Sequence, residues 1–69
     1  MKSELLVKLG EKIRETRKER GLTQEELAFK ANLHRTYIGM IERAEKNLTI
    51  TNLDKIAKAL EVSTSYLLD

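Results

Sequence analysis

Four times along the chain the same local pattern recurs. A hydrophobic residue is followed by a residue that can cap a helix, and a second hydrophobe stands four positions past the cap. The sets are Leu22-Thr23 with Leu27, Leu33-His34 with Ile38, Leu48-Thr49 with Leu53, and Val62-Ser63 with Leu67. This is the hydrophobic staple, in which the two apolar side chains fix the angle at which the chain enters a helix. Thr23-Gln24-Glu25-Glu26 adds a capping box, because Glu26 can reach back to the Thr23 amide. His34 is the weak member of the set, since imidazole is not a favoured capping group.

Between these starts the apolar residues recur at helical spacing. A first helix carries Leu5, Leu6, Leu9 and Ile13 on one stripe and ends at Gly21. Gly10 in its interior costs about 1 kcal/mol relative to Ala. The spacing predicts further helices over about 24–31, 35–44, 50–60 and 64–68, and no segment alternates as a strand does. The predicted fold is all-α, a compact five-helix bundle forming a single domain over 1–69.

The connection between the second and third predicted helices carries the functional pattern. Asn32-Leu33 is short enough only for a tight corner, and Asn tolerates the left-handed backbone that such a corner needs. Leu27, Ala31, Leu33, Ile38 and Ile41 around it are apolar, and Ala28 is the small residue where two helices cross. The pattern is that of a helix-turn-helix over about 24–43, whose second helix lies in the DNA major groove. Phased at about 100° per residue, that helix buries Ile38 and Ile41 and turns Thr36, Met40 and Arg43 outward. Arg35 and Tyr37 flank the outward face, and Gly39 leaves it without bulk.

Arg35 and Thr36 sit in the first turn, the part of a recognition helix that reaches base edges. Arginine can donate two bonds to guanine, and a threonine methyl can meet a thymine methyl. Tyr37 is open between a half-buried core role and a DNA contact. Gln24 and the free amides at the start of its helix suit a phosphate, as does the polar loop of Lys46 and Asn47. Glu42 falls at the edge of the buried face, where a carboxylate needs a partner. Arg17 flanks the buried stripe of the first helix, so the two are expected to pair.

Composition narrows the alternatives. Sixty-nine residues make one small domain, and at that size only about 60% of the unfolded surface is buried. No Cys is present and His34 is the single His, which removes disulfides and leaves no set of ligands for a closed zinc site. Stability must come from tidy helix packing or from a second subunit. Surplus apolar residues at Ile50, Tyr66 and Leu68 are the candidates for a homodimer contact. No Gly-rich phosphate loop, thiol or paired-carboxylate site suggests an enzyme, and no cofactor or metal is expected.

The overall charge of +2 is small but unevenly placed. Residues 1–22 carry +3, 23–29 carry −2, 30–47 carry +2 and 48–69 carry −1, a polarised surface. The N-terminal stretch lacks a signal-peptide pattern and no run is long enough to span a membrane, so a cytoplasmic protein is expected. Asn47-Leu48-Thr49 matches a glycosylation sequon, which without a secretory signal is accidental.

The stretch GLTQEELAFKANLHRTYIGMIER resembles the phage-repressor-type, or Xre-like, helix-turn-helix proteins, with their lambda-repressor-like DNA-binding domain. LHRTYIGMIERAEKNLTI is most similar to the controller proteins of restriction–modification systems. That resemblance implies a small dimeric transcription regulator that binds a palindromic operator in double-stranded DNA, activates its own operon and represses it when abundant. It leaves open a second dimer on an adjacent site and contact with RNA polymerase. By the same resemblance Arg35, Thr36 and Tyr37 fall on base-reading positions. Gln24, Arg43, Lys46 and Asn47 fall on phosphate-contacting positions, and Arg17 and Glu42 on a structural ion pair. The chain departs from the family where Asn32, Ala44 and Glu61 replace frequent glycines, where His34 replaces a better cap, and where Gly39 replaces a small polar residue. A free-standing phage or chromosomal repressor and an antitoxin-type protein–protein module are the competing readings.

Overall fold

Every helix begins on a side-chain acceptor. The computed structural model describes residues 3–69 and places α1 at Glu4–Glu19, α2 at Gln24–Ala31, α3 at Arg35–Glu42, α4 at Ile50–Leu60 and α5 at Thr64–Leu68. Ser3 accepts from the Leu6 amide, Thr49 from Asn52 and Ser63 from Tyr66. Thr23 accepts from the Glu26 amide at 3.0 Å while its own amide donates to Glu26 Oε1 at 2.8 Å, which completes the capping box. His34 also caps: its Nδ1 accepts from the Thr36 amide at 3.1 Å. Imidazole does here what the sequence pattern ranks it poorly for.

The helices end as consistently as they start. Gly21, Asn32, Ala44 and Glu61 all adopt left-handed backbone, with φ of 71°, 57°, 59° and 61°. At each corner the following amide closes a six-residue hydrogen-bonded loop: Leu22 to Arg17 O, Leu33 to Ala28 O, Glu45 to Met40 O, and Val62 to Ala57 O. These are Schellman endings. Three of the four closing residues, Leu22, Leu33 and Val62, also pack on the core as the staples of the next helix. The left-handed turn at Ala44 stops α3 at Glu42, two residues before the end expected from periodicity.

The core is formed by Leu9 and Ile13 of α1, Leu27, Ala28 and Ala31 of α2, Ile38 and Ile41 of α3, Leu53, Ile56, Ala57 and Leu60 of α4, and Leu67 of α5. Helix α2 packs on α3 and α4, α1 on α3 and α5, and α4 on α5. Among the described residues there is no strand. Leu5 departs from the expected stripe: it is 61% exposed, and Leu6 is only half-buried. Helix α1 has 16 residues against 8 in α3 and 5 in α5, so its first turn overhangs the partners that could cover it.

Gly10 is more than a weak point in α1. A Cβ there would stand 2.5 Å from the Ile41 carbonyl oxygen and 2.9 Å from that of Glu42. The backbone of α1 passes directly against the end of α3, and only glycine allows that approach.

Candidate nucleic-acid interface

The candidate site is the first turn of α3 and what surrounds it. Arg35 and Thr36 are exposed, as the helical phase predicts. Tyr37 is half-buried against the core, and its hydroxyl oxygen accepts from Asn52 Nδ2 of α4 at 2.9 Å. Met40 is half-buried rather than fully outward. Gly39 is buried: a Cβ at that position would meet Arg43 Nη1 at 3.1 Å and Gln24 Oε1 at 3.5 Å. It therefore lies beneath the Gln24 and Arg43 side chains and is not an open stretch of the outward face.

Beneath this surface is a buried polar junction. Arg17 Nε donates to Glu42 Oε2 at 2.7 Å and Arg17 Nη2 to Glu42 Oε1 at 3.1 Å, a two-pronged pair. The Arg17 side chain is 10% exposed and that of Glu42 3%. The third arm of the guanidinium, Nη1, donates to the Leu22 carbonyl at 2.8 Å. Gln24 Nε2 donates to Glu42 Oε1 at 3.0 Å. The Glu42 carboxylate thus ties the last turn of α1, the start of α2 and the end of α3, and Arg17 extends the junction to the corner at Leu22. Among the described residues no buried side-chain polar atom lacks a partner, so the burial of these charges is compensated.

The junction also sets how Gln24 faces outward. An ionised carboxylate only accepts, so the amide nitrogen of Gln24 must turn toward Glu42. One of its two N–H groups is used there, and a phosphate could take only the other. The sequence pattern read Gln24 as a phosphate ligand alone; the structure adds a role in the junction.

The remaining candidate contacts lie in α3 and just after it. Arg43 follows its last residue and pairs with Glu45 at 3.1 Å, with both side chains about half exposed. Lys46 and Asn47 are exposed in the segment that leads to Thr49. Arg35 Nη1 donates to Glu25 Oε2 at 2.7 Å, with side-chain exposures of 68% and 71%. Sequence reasoning did not nominate Glu25 or Asn52. Both contacts run between different helices, beyond the three- and four-residue spacing that charge patterns reveal. Among the described residues no cluster of His, Cys, Asp and Glu could hold a metal ion, and no helix is long and apolar enough to cross a membrane.

The helix-turn-helix family profile matches residues 13–67, which include both helices of this site and all of the core except Leu9. The chain belongs to the helix-turn-helix family. This helix-turn-helix protein is 43% identical over 70 residues to control protein C.BamHI of Bacillus amyloliquefaciens, covering 100% of this chain and 86% of the relative. The crystal structure of the restriction–modification controller protein C.AhdI from Aeromonas hydrophila superposes with a TM-score of 0.89 at 44% identity, over 90% of this chain and 94% of that one. The restriction–modification controller protein C.Esp1396I, solved as a tetramer in complex with its natural 35 base-pair operator, gives 0.88 at 52% identity, over 94% and 86%. Within the helix-turn-helix family, the chain sits among the control proteins of restriction–modification systems.

Proposed function

We propose that the protein is a restriction–modification controller: a sequence-specific transcription regulator that binds a palindromic operator in double-stranded DNA as a homodimer. The observation that carries this reading is the exposed first turn of α3. Arg35 and Thr36 open α3, the buried Arg17–Glu42–Gln24 junction holds its other end, and Gln24, Arg43, Lys46 and Asn47 lie toward that end and in the loop after it. Reading bases requires side chains held by well-packed supports, and phosphate contacts fix the register of the helix without carrying sequence information. Arg35, Thr36 and Tyr37 are assigned to base recognition. Gln24, Arg43, Lys46 and Asn47 are assigned to phosphates.

The whole chain, 1–69, then acts as one DNA-binding domain, with 24–43 as reader and 50–68 supplying core and dimer surface. A single helix-turn-helix covers only a short half-site, and a symmetric pair reads a palindrome. Ile50, 84% exposed, together with Tyr66 and Leu68, both exposed, supplies apolar area for the second subunit. The tetramer solved on operator DNA for C.Esp1396I supports two dimers on adjacent sites here. A DNA-binding regulator of this kind works in the cytoplasm, and the proposed role calls for neither catalysis nor a cofactor. Contact with RNA polymerase would complete the role of a regulator of its own operon.

Phe29, 87% exposed on α2, is the feature that favours a protein partner besides a second copy. A single aromatic side chain is far smaller than the apolar patches that mark stable interfaces, so it does not displace the DNA reading.

The test is selection of bound duplexes from a random pool, with ultracentrifugation alongside. Enrichment of a palindrome and a dimer at micromolar concentration are expected, with Leu68→Asp giving monomer. A protein that enriches no sequence overturns the reading.

A further inference from the structure

We infer that Glu25 is a positioning residue for base recognition: by holding one arm of Arg35, it presents the other edge of that guanidinium to a guanine. The inference rests on the proposed reading of Arg35 as a base contact.

The contact itself is specific in its atoms. Glu25 Oε2 takes Nη1 of Arg35 at 2.7 Å, and no other side-chain partner of Arg35 is found among the described residues. That leaves Nε and Nη2 free. These two N–H groups point the same way and form the side edge of the guanidinium plane. The same chain shows what this edge does when it meets two acceptors: in Arg17, Nε and Nη2 grip both oxygens of Glu42 while Nη1 goes elsewhere, to the Leu22 carbonyl. Guanine offers a comparable pair of acceptors, N7 and O6, on its major-groove edge. Arg35 with Nη1 already held is thus a copy of the Arg17 arrangement, with its gripping edge unoccupied.

A stability role does not account for the pair. Both side chains are more than two-thirds exposed, and ion pairs so placed add little to folding. Glu25 is not part of the Thr23–Glu26 capping box. A carboxylate on a face that must approach phosphates opposes binding to every sequence, and that cost needs a return. Fixing Arg35 supplies one. A long, flexible guanidinium able to swing onto any phosphate would add affinity without discrimination, whereas a tethered one is kept for the base edge. Glu25 therefore trades general affinity for selectivity.

The experiment uses a duplex of about 20 base pairs selected by the wild-type protein. Variants of that duplex carry each G·C pair replaced, and an unrelated duplex serves as reference. With Glu25→Ala, discrimination at the guanine read by Arg35 should fall by about two- to fivefold, while binding to the unrelated duplex stays equal or tightens. Glu25→Gln, which keeps an acceptor oxygen, should retain part of the discrimination. Thermal midpoints should fall by no more than a few degrees, the loss of one first-turn carboxylate, and Glu25→Ala added to Arg35→Ala should cause no further loss of selectivity. If Glu25→Ala tightens binding to all duplexes by the same factor, Glu25 is a general repulsive charge and the proposal fails while the reading of Arg35 stands. If Arg35→Ala itself leaves guanine discrimination unchanged, the base-contact reading fails and takes this proposal with it.

Discussion

Arg17 and Glu42, twenty-five positions apart, grip each other through two hydrogen bonds in the interior of the bundle. Removing one member of a buried pair leaves the other desolvated, at a cost of about 3–5 kcal/mol. For a domain whose total stability can be as low as about 5 kcal/mol, that is a large fraction. Arg17→Met and Glu42→Leu are each expected to lower the denaturation midpoint strongly. The double variant should recover part of the loss, because two apolar side chains can replace a compensated pair at small cost. A double-mutant cycle in denaturant measures this, and strictly additive losses would mean that the two charges are energetically independent.

Gly10→Ala sets local propensity against packing. Alanine favours a helix over glycine by about 1 kcal/mol. The added methyl, however, meets two backbone carbonyls of α3 that cannot turn aside. A net loss of about 1–3 kcal/mol is expected, typical of overpacking. In a domain of this size the melting temperature falls by roughly 4–8 °C per kcal/mol. A variant that melts at or above the wild-type temperature would show that α1 can withdraw from α3.

Ala44→Gly and Glu61→Gly run the other way. Both positions hold left-handed backbone that costs an L-residue roughly 1 kcal/mol. Glycine removes that strain and returns part of the gain through the greater freedom of the unfolded chain. Each substitution should raise the melting temperature by a few degrees, measured by calorimetry, with roughly additive effects in the double variant. A lowered midpoint in both would show that Cβ contacts outweigh the strain.

Lys46→Ala should weaken binding about equally on the selected operator and on unrelated duplexes, and lower the salt slope by about one unit. Arg35→Ala should instead cost about 1–3 kcal/mol on the operator and relax preference at one symmetric pair of positions. Titrations at several salt concentrations separate the two. Equal losses on all sequences for Arg35→Ala would assign that residue to phosphate.

How much of this could be read in advance depends on how local each cause is. The helix starts were legible because cap and staple lie within five residues of each other. Asn32, Ala44 and Glu61 stood out because the family often has glycine there, and all three prove left-handed. The end of α3 was placed two residues late, since hydrophobic periodicity does not register a change in the sign of φ. Arg17 and Glu42 were legible as charges on buried faces in need of partners. Gly10 was read only as a propensity defect, because the carbonyls it meets belong to the far end of another helix. The bonds from Arg35 to Glu25 and from Asn52 to Tyr37 left no pattern at all, because each joins side chains on different helices at a spacing that no local rule marks.

Three of the four corners share one apolar side chain between the helix that ends and the helix that begins. Inserting a single residue at Leu22, Leu33 or Val62 would therefore break a closing bond and a staple together, and these connections have no tolerance for length. The fourth corner closes on Glu45, and its staple, Leu48, stands separately, three residues on. The segment from Arg43 to Thr49 is where the two duties are divided, and it also carries Lys46 and Asn47. Changes in chain length are thus confined to a stretch that carries the two residues proposed as phosphate contacts. Variants with longer or shorter α3–α4 connections should fold as this one does while gripping DNA differently, which makes that segment the natural place to graft altered operator affinity.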